Sequence, residues 1–534
     1  MVDTNDRALL LRGLLRARAY PHPVGAIEHL ETHISDVLLT GEYAYKLKKP
    51  LNLGFLNFST VELRRACCEE ELRLNRRLAP ELYLAVVPIA GSLSDPRIGG
   101  DAPILDYAVR MRQFDQAGML ERVAGRGELT AAIIDSIAEQ IAEFHSDLPP
   151  AADASGYGTA AEIAGPALQN FDQLQPLIAS DAERGALRGL REWTEQKNEA
   201  LASRFEARRQ AGYVRECHGD LHLGNIVLVD GRVRIFDCIE FNPRLRWIDV
   251  MNEAAFLSMD LIQRGYSHLA YRFINRYLEH TGDYAGVDLL SYYMVYRALV
   301  RAKVAAMRAA QASVSADARR LLQEKCRAHI DLARQLTAQR RRVLFIMHGL
   351  SGSGKTVVSQ AMLEAVGAIR VRSDVERKRL HGLGAAARSG SPLGQGIYVP
   401  SASQATYDRL TDLATALLMA DYPVVVDAAF LKREQRERFE RLAESQNAGF
   451  AILDIQAAEA TLRRRIAERT EAGTDASEAN LAVLEQQLAV REPLTAAEQT
   501  ATHVFDTDRL SPAAVVDRAR EITASFDGTG LVLA

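Results

Sequence analysis

Residues 217–241 read CHGDLHLGNIVLVDGRVRIFDCIEF. Within them His218-Gly219-Asp220, followed by Asn225 five residues after the aspartate, has the spacing H-x-D-x-x-x-x-N. That is the pattern of a loop built for phosphoryl transfer. The reaction needs a carboxylate beside the acceptor hydroxyl and an oxygen ligand for magnesium, both on one short rigid loop. Asp220 is therefore the candidate catalytic carboxylate, taking or orienting the hydroxyl proton, and Asn225 a candidate metal ligand. The next residues, NIVLVDGRVRIFD, read as a hairpin turning on Asp230-Gly231, a pair suited to the positive φ of tight two-residue turns. A second metal-binding carboxylate belongs just past such a hairpin, and Asp237 stands there.

Upstream, residues 31–49 (ETHISDVLLTGEYAYKLKK) predict two strands around Thr40-Gly41-Glu42. In Tyr43-Ala44-Tyr45-Lys46 the alternation places Ala44 and Lys46 on one face, where a lysine for nucleotide phosphates is needed. Lys48 shares that face, so Lys46 is the first choice and Lys48 the reserve. Ser59-Thr60-Val61-Glu62 opens a predicted helix running to about Leu78. Its Cys-Cys-Glu-Glu-Glu run offers three glutamates to pair with the lysine, of which Glu71 is preferred. Strands are also predicted at 82–91 and 104–114. A small lobe thus covers about residues 25–115, and a helical lobe about 116–338. His218 is expected to orient the catalytic loop, and Asp249 to anchor it.

The form HGDLHLGN resembles the aminoglycoside phosphotransferase-like kinases, whose loop is H-G-D-x-H-x-x-N. The resemblance covers about residues 25–330. It implies a bilobal protein-kinase-like fold, ATP bound with Mg2+, and a small hydroxylated acceptor.

The texture changes after Arg340-Arg341-Arg342. VLFIMHG is a continuous apolar run, the signature of a central parallel strand. It enters Gly349-Leu350-Ser351-Gly352-Ser353-Gly354-Lys355-Thr356, which fits G-x-x-x-x-G-K-[ST] without a mismatch. Backbone N–H groups of such a loop wrap phosphates, aided by the dipole of the following helix. Gly349, Ser351, Gly352, Ser353, Gly354, Lys355 and Thr356 are the candidate nucleotide-binding residues, and Thr356 also a magnesium ligand. Short strands at 368–373, 422–428, 449–455 and 502–508 alternate with helical segments, so a parallel sheet covered on both faces is expected. Residues 383–402 read as a Gly/Ser/Pro-rich loop.

Asp374 opens a helix directly after the second of these strands and is a candidate catalytic residue. Asp427, ending VVVD, is a candidate metal ligand. Arg465 and Arg469 lie at helical spacing before a loop, as in a lid that closes cations onto a transferring phosphate, whereas Arg463 and Arg464 should face solvent. This half, about 342–530, resembles the P-loop kinases that include gluconate kinase, zeta-toxin-like kinases and polynucleotide 5′-hydroxyl kinases. The order of the halves also resembles bacterial fusions of a phosphotransferase with an ATP-binding protein.

The expected architecture is an α+β bilobal kinase-like domain, 1–338, followed by an α/β P-loop kinase domain with a parallel sheet, 339–534. Net charge is −4 over 534 residues, so no global basic field draws nucleic acid or anionic membrane. Five cysteines, scattered and without metal-ligand spacing, predict reduced thiols. The first twenty residues show no secretory signal, and no run of 18 apolar residues predicts a membrane span. A cytoplasmic location is expected. Three functions fit: a bifunctional small-molecule kinase using ATP (GTP is left open), one catalytic half regulated by a ligand-binding half, or a nucleic-acid 5′-hydroxyl kinase.

Overall fold

After an opening helix, Thr4–Leu14, six strands form an antiparallel sheet in the spatial order β1-β2-β3-β6-β4-β5. They are β1 Glu28–Glu31, β2 Ser35–Leu39, β3 Tyr43–Lys48, β4 Tyr83–Ser92, β5 Asp95–Ile98 and β6 Ile104–Arg112. The computed structural model describes residues 4–52, 54, 56–312, 314–385, 387–391, 395–472 and 479–526. Its contacts form two compact units. The first comprises Met1–Ile133, Asp147–Ala164 and Ala202–Leu257, the second Ile134–Ser146, Gly165–Leu201 and Ser258–Ala534.

In the first unit the turn between β2 and β3 falls at Gly41, with φ +100°. The helix Val61–Asn75 starts where Thr60 accepts the Leu63 N–H, satisfying one of the donors a helix start leaves unpaired. It packs on β4 and β6 and buries Cys68, Glu71 and Leu74. Leu39, Ala44, Leu82, Tyr83, Val109 and Met111 form a core beside it. Two further short pairings belong to the unit. The strands β7 Val214–Glu216 and β10 Trp247–Asp249 pair with each other, as do β8 Ile226–Val229 and β9 Arg232–Ile235. The β8–β9 turn sits at Asp230 and Gly231, both at positive φ.

The second unit holds a five-stranded sheet with all neighbours parallel, in the order β12-β13-β11-β14-β15. Its strands are β11 Val343–His348, β12 Ile369–Arg372, β13 Val424–Asp427, β14 Gly449–Gln456 and β15 Thr502–Asp506. All six residues of β11 are buried, as its unbroken apolar run requires of a strand covered on both faces. Phe345, Met347, Val358, Met362, Leu453 and Phe505 belong to that core, each large side chain worth about 1.5–3 kcal/mol of burial. Helices of residues 258–336, which precede the P-loop in the chain, pack within this same unit. The predicted loop 383–402 ends earlier, because Pro400 opens the helix Pro400–Met419; residues 386 and 392–394 lie outside the described residues.

Candidate active sites

Strand alternation turns Lys46 and Lys48 toward the helix Val61–Asn75, and both reach Glu71. Lys46 Nζ donates to Glu71 Oε1 at 2.8 Å and also pairs with Asp237. Lys48, wholly buried, pairs with Glu71 and with Glu240. Among the three adjacent glutamates the geometry separates roles. Glu69 bonds exposed Arg65, Glu70 bonds Arg73 and Arg246, and Glu71 points inward to the lysines. Burial alone would raise the Glu71 carboxyl, but the two ammonium groups hold it down to about 2. Lys46 is raised well above its usual value, because Asp237 and Glu71 outweigh its desolvation.

Asp237 takes a left-handed backbone, φ +67°, which aims its carboxylate back at Lys46. Its N–H donates to the Tyr83 hydroxyl at 3.2 Å, and the Cys238 N–H to Asn75 Oδ1 at 2.9 Å. The catalytic loop is joined to this segment. Phe236 N–H donates to the Asn225 carbonyl, Ile239 N–H to the His218 carbonyl, and His218 Nε2 to the Phe236 carbonyl at 2.8 Å. His218 Nδ1 accepts the Asp220 N–H, so the ring orients the loop with one nitrogen donating and the other accepting. Asn225 Nδ2 donates to Asp220 Oδ2 at 3.0 Å, and His222 Nε2 lies 3.3 Å from the same oxygen.

The loop's anchor is Glu253 and not Asp249, correcting the sequence expectation. Glu253 is fully buried and accepts the N–H groups of His218 and Gly219 at 3.1 and 2.7 Å. Asp249 instead takes a two-point bond from Arg208 and caps the Met251 N–H. A signal existed in the sequence: Glu253 follows Asp249 by one helical turn in DVMNEA. Gly219 sits at φ +88°, and a Cβ there would lie 2.8 Å from the Leu245 carbonyl. Gly219→Ala is expected to cost about 1–3 kcal/mol in strain, and to weaken phosphoryl transfer further by displacing Asp220. Thermal unfolding and steady-state rates on the same preparation check both parts.

In the second unit β11 runs into the P-loop, and the helix Lys355–Val366 begins at Lys355. Gly352 and Gly354 have φ +82° and +98°. At Gly352 a Cβ would also meet the Leu462 carbonyl at 2.8 Å. Lys355 Nζ bonds the carbonyls of Gly349 and Leu350 at 3.0 and 2.8 Å. A cleft of about 780 Å³ is lined by Ser351, Gly352, Gly354, Lys355 and Thr356 on one side, and Asp374, Asp427, Arg465 and Arg469 elsewhere. Of the expected nucleotide-binding residues, Gly349 and Ser353 are not part of its lining, and Ser353 is 1% exposed. Asp427 ends β13 and accepts the Ser359 hydroxyl at 3.0 Å. Arg465 bonds Thr507 and reaches the carbonyls of Gly352 and Ser353 at 3.4 Å. Arg469 donates to the Ala479 carbonyl at 2.6 Å; the loop expected between them, 473–478, lies outside the described residues. Arg463 and Arg464 make exposed helical pairs with Glu459 and Glu468.

Comparison with known proteins matches two separate segments of the chain to two different family models. The model of a phosphotransferase enzyme family matches residues 60–290, and that of an AAA domain matches residues 344–494. Among solved structures, a gluconokinase from Sinorhizobium meliloti 1021 is 24% identical, covering 35% of this chain and 95% of its own, with a TM-score of 0.25. An amicoumacin kinase is 12% identical, covering 62% and 97%, with a TM-score of 0.38. Two kinase-type segments on one chain define an ATP-dependent kinase, a phosphotransferase. An uncharacterized protein of Mycobacterium bovis is 30% identical over 461 residues, 85% of this chain and 89% of that protein, and counterparts in two strains of Mycobacterium tuberculosis match equally. The chain belongs to the family of these mycobacterial proteins. No described helix is long and apolar enough to cross a membrane.

Proposed function

We propose that the chain is a bifunctional kinase, each site transferring the γ-phosphate of ATP to a hydroxyl of a small molecule. The observation that carries this reading is the convergence of Lys46, Glu71 and Asp237 with a catalytic loop whose Asp220 and Asn225 are hydrogen-bonded. A second site is supported by the P-loop cleft, whose lining includes Lys355, Thr356, Asp374, Asp427, Arg465 and Arg469. The donor chemistry fits magnesium, which prefers hard oxygen ligands and few of them from protein. Asn225 and Asp237 would hold it at the first site, Thr356 and Asp427 at the second. Bound there, the metal would neutralise phosphate charge. Lys46, held by Glu71, and Lys355 would place phosphate oxygens. Asp220, about one-third exposed at its carboxylate, would accept the proton of the first acceptor, and Asp374 that of the second. Arg465 and Arg469 would meet the charge that develops in transfer. We also read the sequence boundary near residue 338 as the division between the two chemistries.

Labelled ATP and a metabolite extract test the reading in full-length protein. Lys46→Met and Lys355→Met are each expected to lose a different phosphorylated product, by about 10²–10³-fold for loss of one charge-stabilising group. Loss of every product in Lys355→Met, with Lys46→Met unimpaired, would make the first site a regulatory binding site instead.

A further inference from the structure

Strand β12 is an edge of the five-stranded sheet, paired only with β13. Its other side meets the helix Ser267–Thr281, which lies within the segment matched by the phosphotransferase family, not the AAA segment. Asn275 on that helix uses both ends of its amide. Its Oδ1 accepts the Arg370 N–H at 2.7 Å, and its Nδ2 donates to the Ala368 carbonyl at 2.9 Å.

One turn later, Glu279 is 1% exposed. Its Oε1 accepts Nε and Nη2 of Arg370 at 2.9 and 2.6 Å, and its Oε2 lies 3.7 Å from Nη1 of Arg372. Half-buried Arg276 is 3.9 Å away. Both strand arginines are themselves buried. Beyond them stands Asp427. Arg372 Nε is 3.8 Å from Asp427 Oδ2; Arg370 donates to the Ser359 hydroxyl at 3.3 Å, and that hydroxyl donates to the same Asp427 oxygen. Two permanently charged guanidinium groups therefore stand between two carboxylates, one on the covering helix and one at the P-loop. If the helix carboxylate loses its charge, Asp427 alone in this group of four faces both cations. In a buried setting that attraction is strong, and it would occupy the oxygen that the metal requires.

We propose that Glu279 is a positioning residue of the P-loop site: it engages Arg370 and Arg372, keeps Arg372 from closing on Asp427, and so leaves that carboxylate to the divalent metal of the bound nucleotide. The inference rests on the reading of the P-loop cleft as a kinase site. It means that a residue from one kinase family's segment tunes the metal affinity of the other's.

The test is a magnesium titration of mant-ATP binding to full-length protein, taking as signal the component lost in Lys355→Ala. Glu279→Gln keeps the shape and removes the charge. It is expected to raise the magnesium concentration for half-maximal binding about tenfold, the equivalent of roughly 1.4 kcal/mol, while binding measured with excess chelator changes less than twofold. Adding Arg372→Gln to Glu279→Gln should return the magnesium requirement toward wild type, and Arg372→Gln alone should leave it at or below wild type. A purely structural role would not give this rescue. A wild-type requirement in Glu279→Gln, or a double variant no better than the single one, overturns the proposal. If Glu279→Gln does not fold, Arg372→Gln decides, since a raised requirement there is equally fatal. If Lys355→Ala leaves the whole titration unchanged, the kinase reading of the cleft fails and this proposal falls with it.

Discussion

Replacing Asp220 by asparagine is expected to slow phosphoryl transfer at the first site by about 10²–10⁴-fold, the usual contribution of a positioned general base. The amide matches the carboxylate in shape and can still accept from Asn225 Nδ2, now 3.0 Å away. The loop around it is held independently, by Glu253 on the His218 and Gly219 N–H groups and by His218 on Phe236. What the amide cannot do is take a proton. The nucleotide contacts proposed for Lys46, which Glu71 holds at 2.8 Å, do not involve residue 220, so the dissociation constant for ATP should hold while kcat falls. Stopped-flow nucleotide binding and steady-state transfer, measured on the acceptor that the extract screen identifies, separate the two. An undiminished rate would remove Asp220 from the chemistry.

Lys48→Met should be the most damaging single change to the stability of the first unit, by about 3–5 kcal/mol, the cost of removing one partner from a buried ion pair. Lys48 is wholly buried between Glu71 and Glu240, with its ammonium 5.5 Å from the centre of the Phe58 ring. Without it Lys46 faces Glu71, Glu240 and Asp237 alone. Burial already raises the Glu240 carboxyl, and loss of Lys48 would drive it further up, toward its neutral form. Lys48→Met with Glu240→Gln should therefore recover part of the loss. Urea unfolding followed by fluorescence reads both, and a single-variant cost under about 1 kcal/mol would mean that water reaches the pair.

What could be read from the chain was local. The Asp230-Gly231 turn, the Thr60 helix start and the apolar strand ahead of the P-loop each depend on neighbours within a few residues, and the structure places them where the pattern did. The strands β1, EHLE, and β5, DPRI, escaped notice because they are four residues long, charged, and in one case carry a proline, features that suit edge strands. The partners of the site were hidden for another reason. Nothing near Glu240 announces Lys48, 192 positions away, nor does anything near Glu279 announce Arg370, 91 away. Glutamate is common on helix surfaces, so only the fold distinguishes these few from solvated ones. Lys46 and Lys48 were ranked as alternatives, whereas the structure uses both around Glu71.

The amide of Asn275 on the edge of β12 has a practical side. It occupies the N–H of Arg370 and the carbonyl of Ala368, groups that a neighbouring strand would otherwise claim. A fragment cut to begin at the P-loop motif would present that row bare, beside arginines stripped of Glu279, and bare strand edges recruit one another. Motif boundaries and handling boundaries thus differ in this chain. A recombinant piece meant to stay in solution should begin before Ser267, and an insoluble shorter one would say nothing against the catalytic competence of the P-loop.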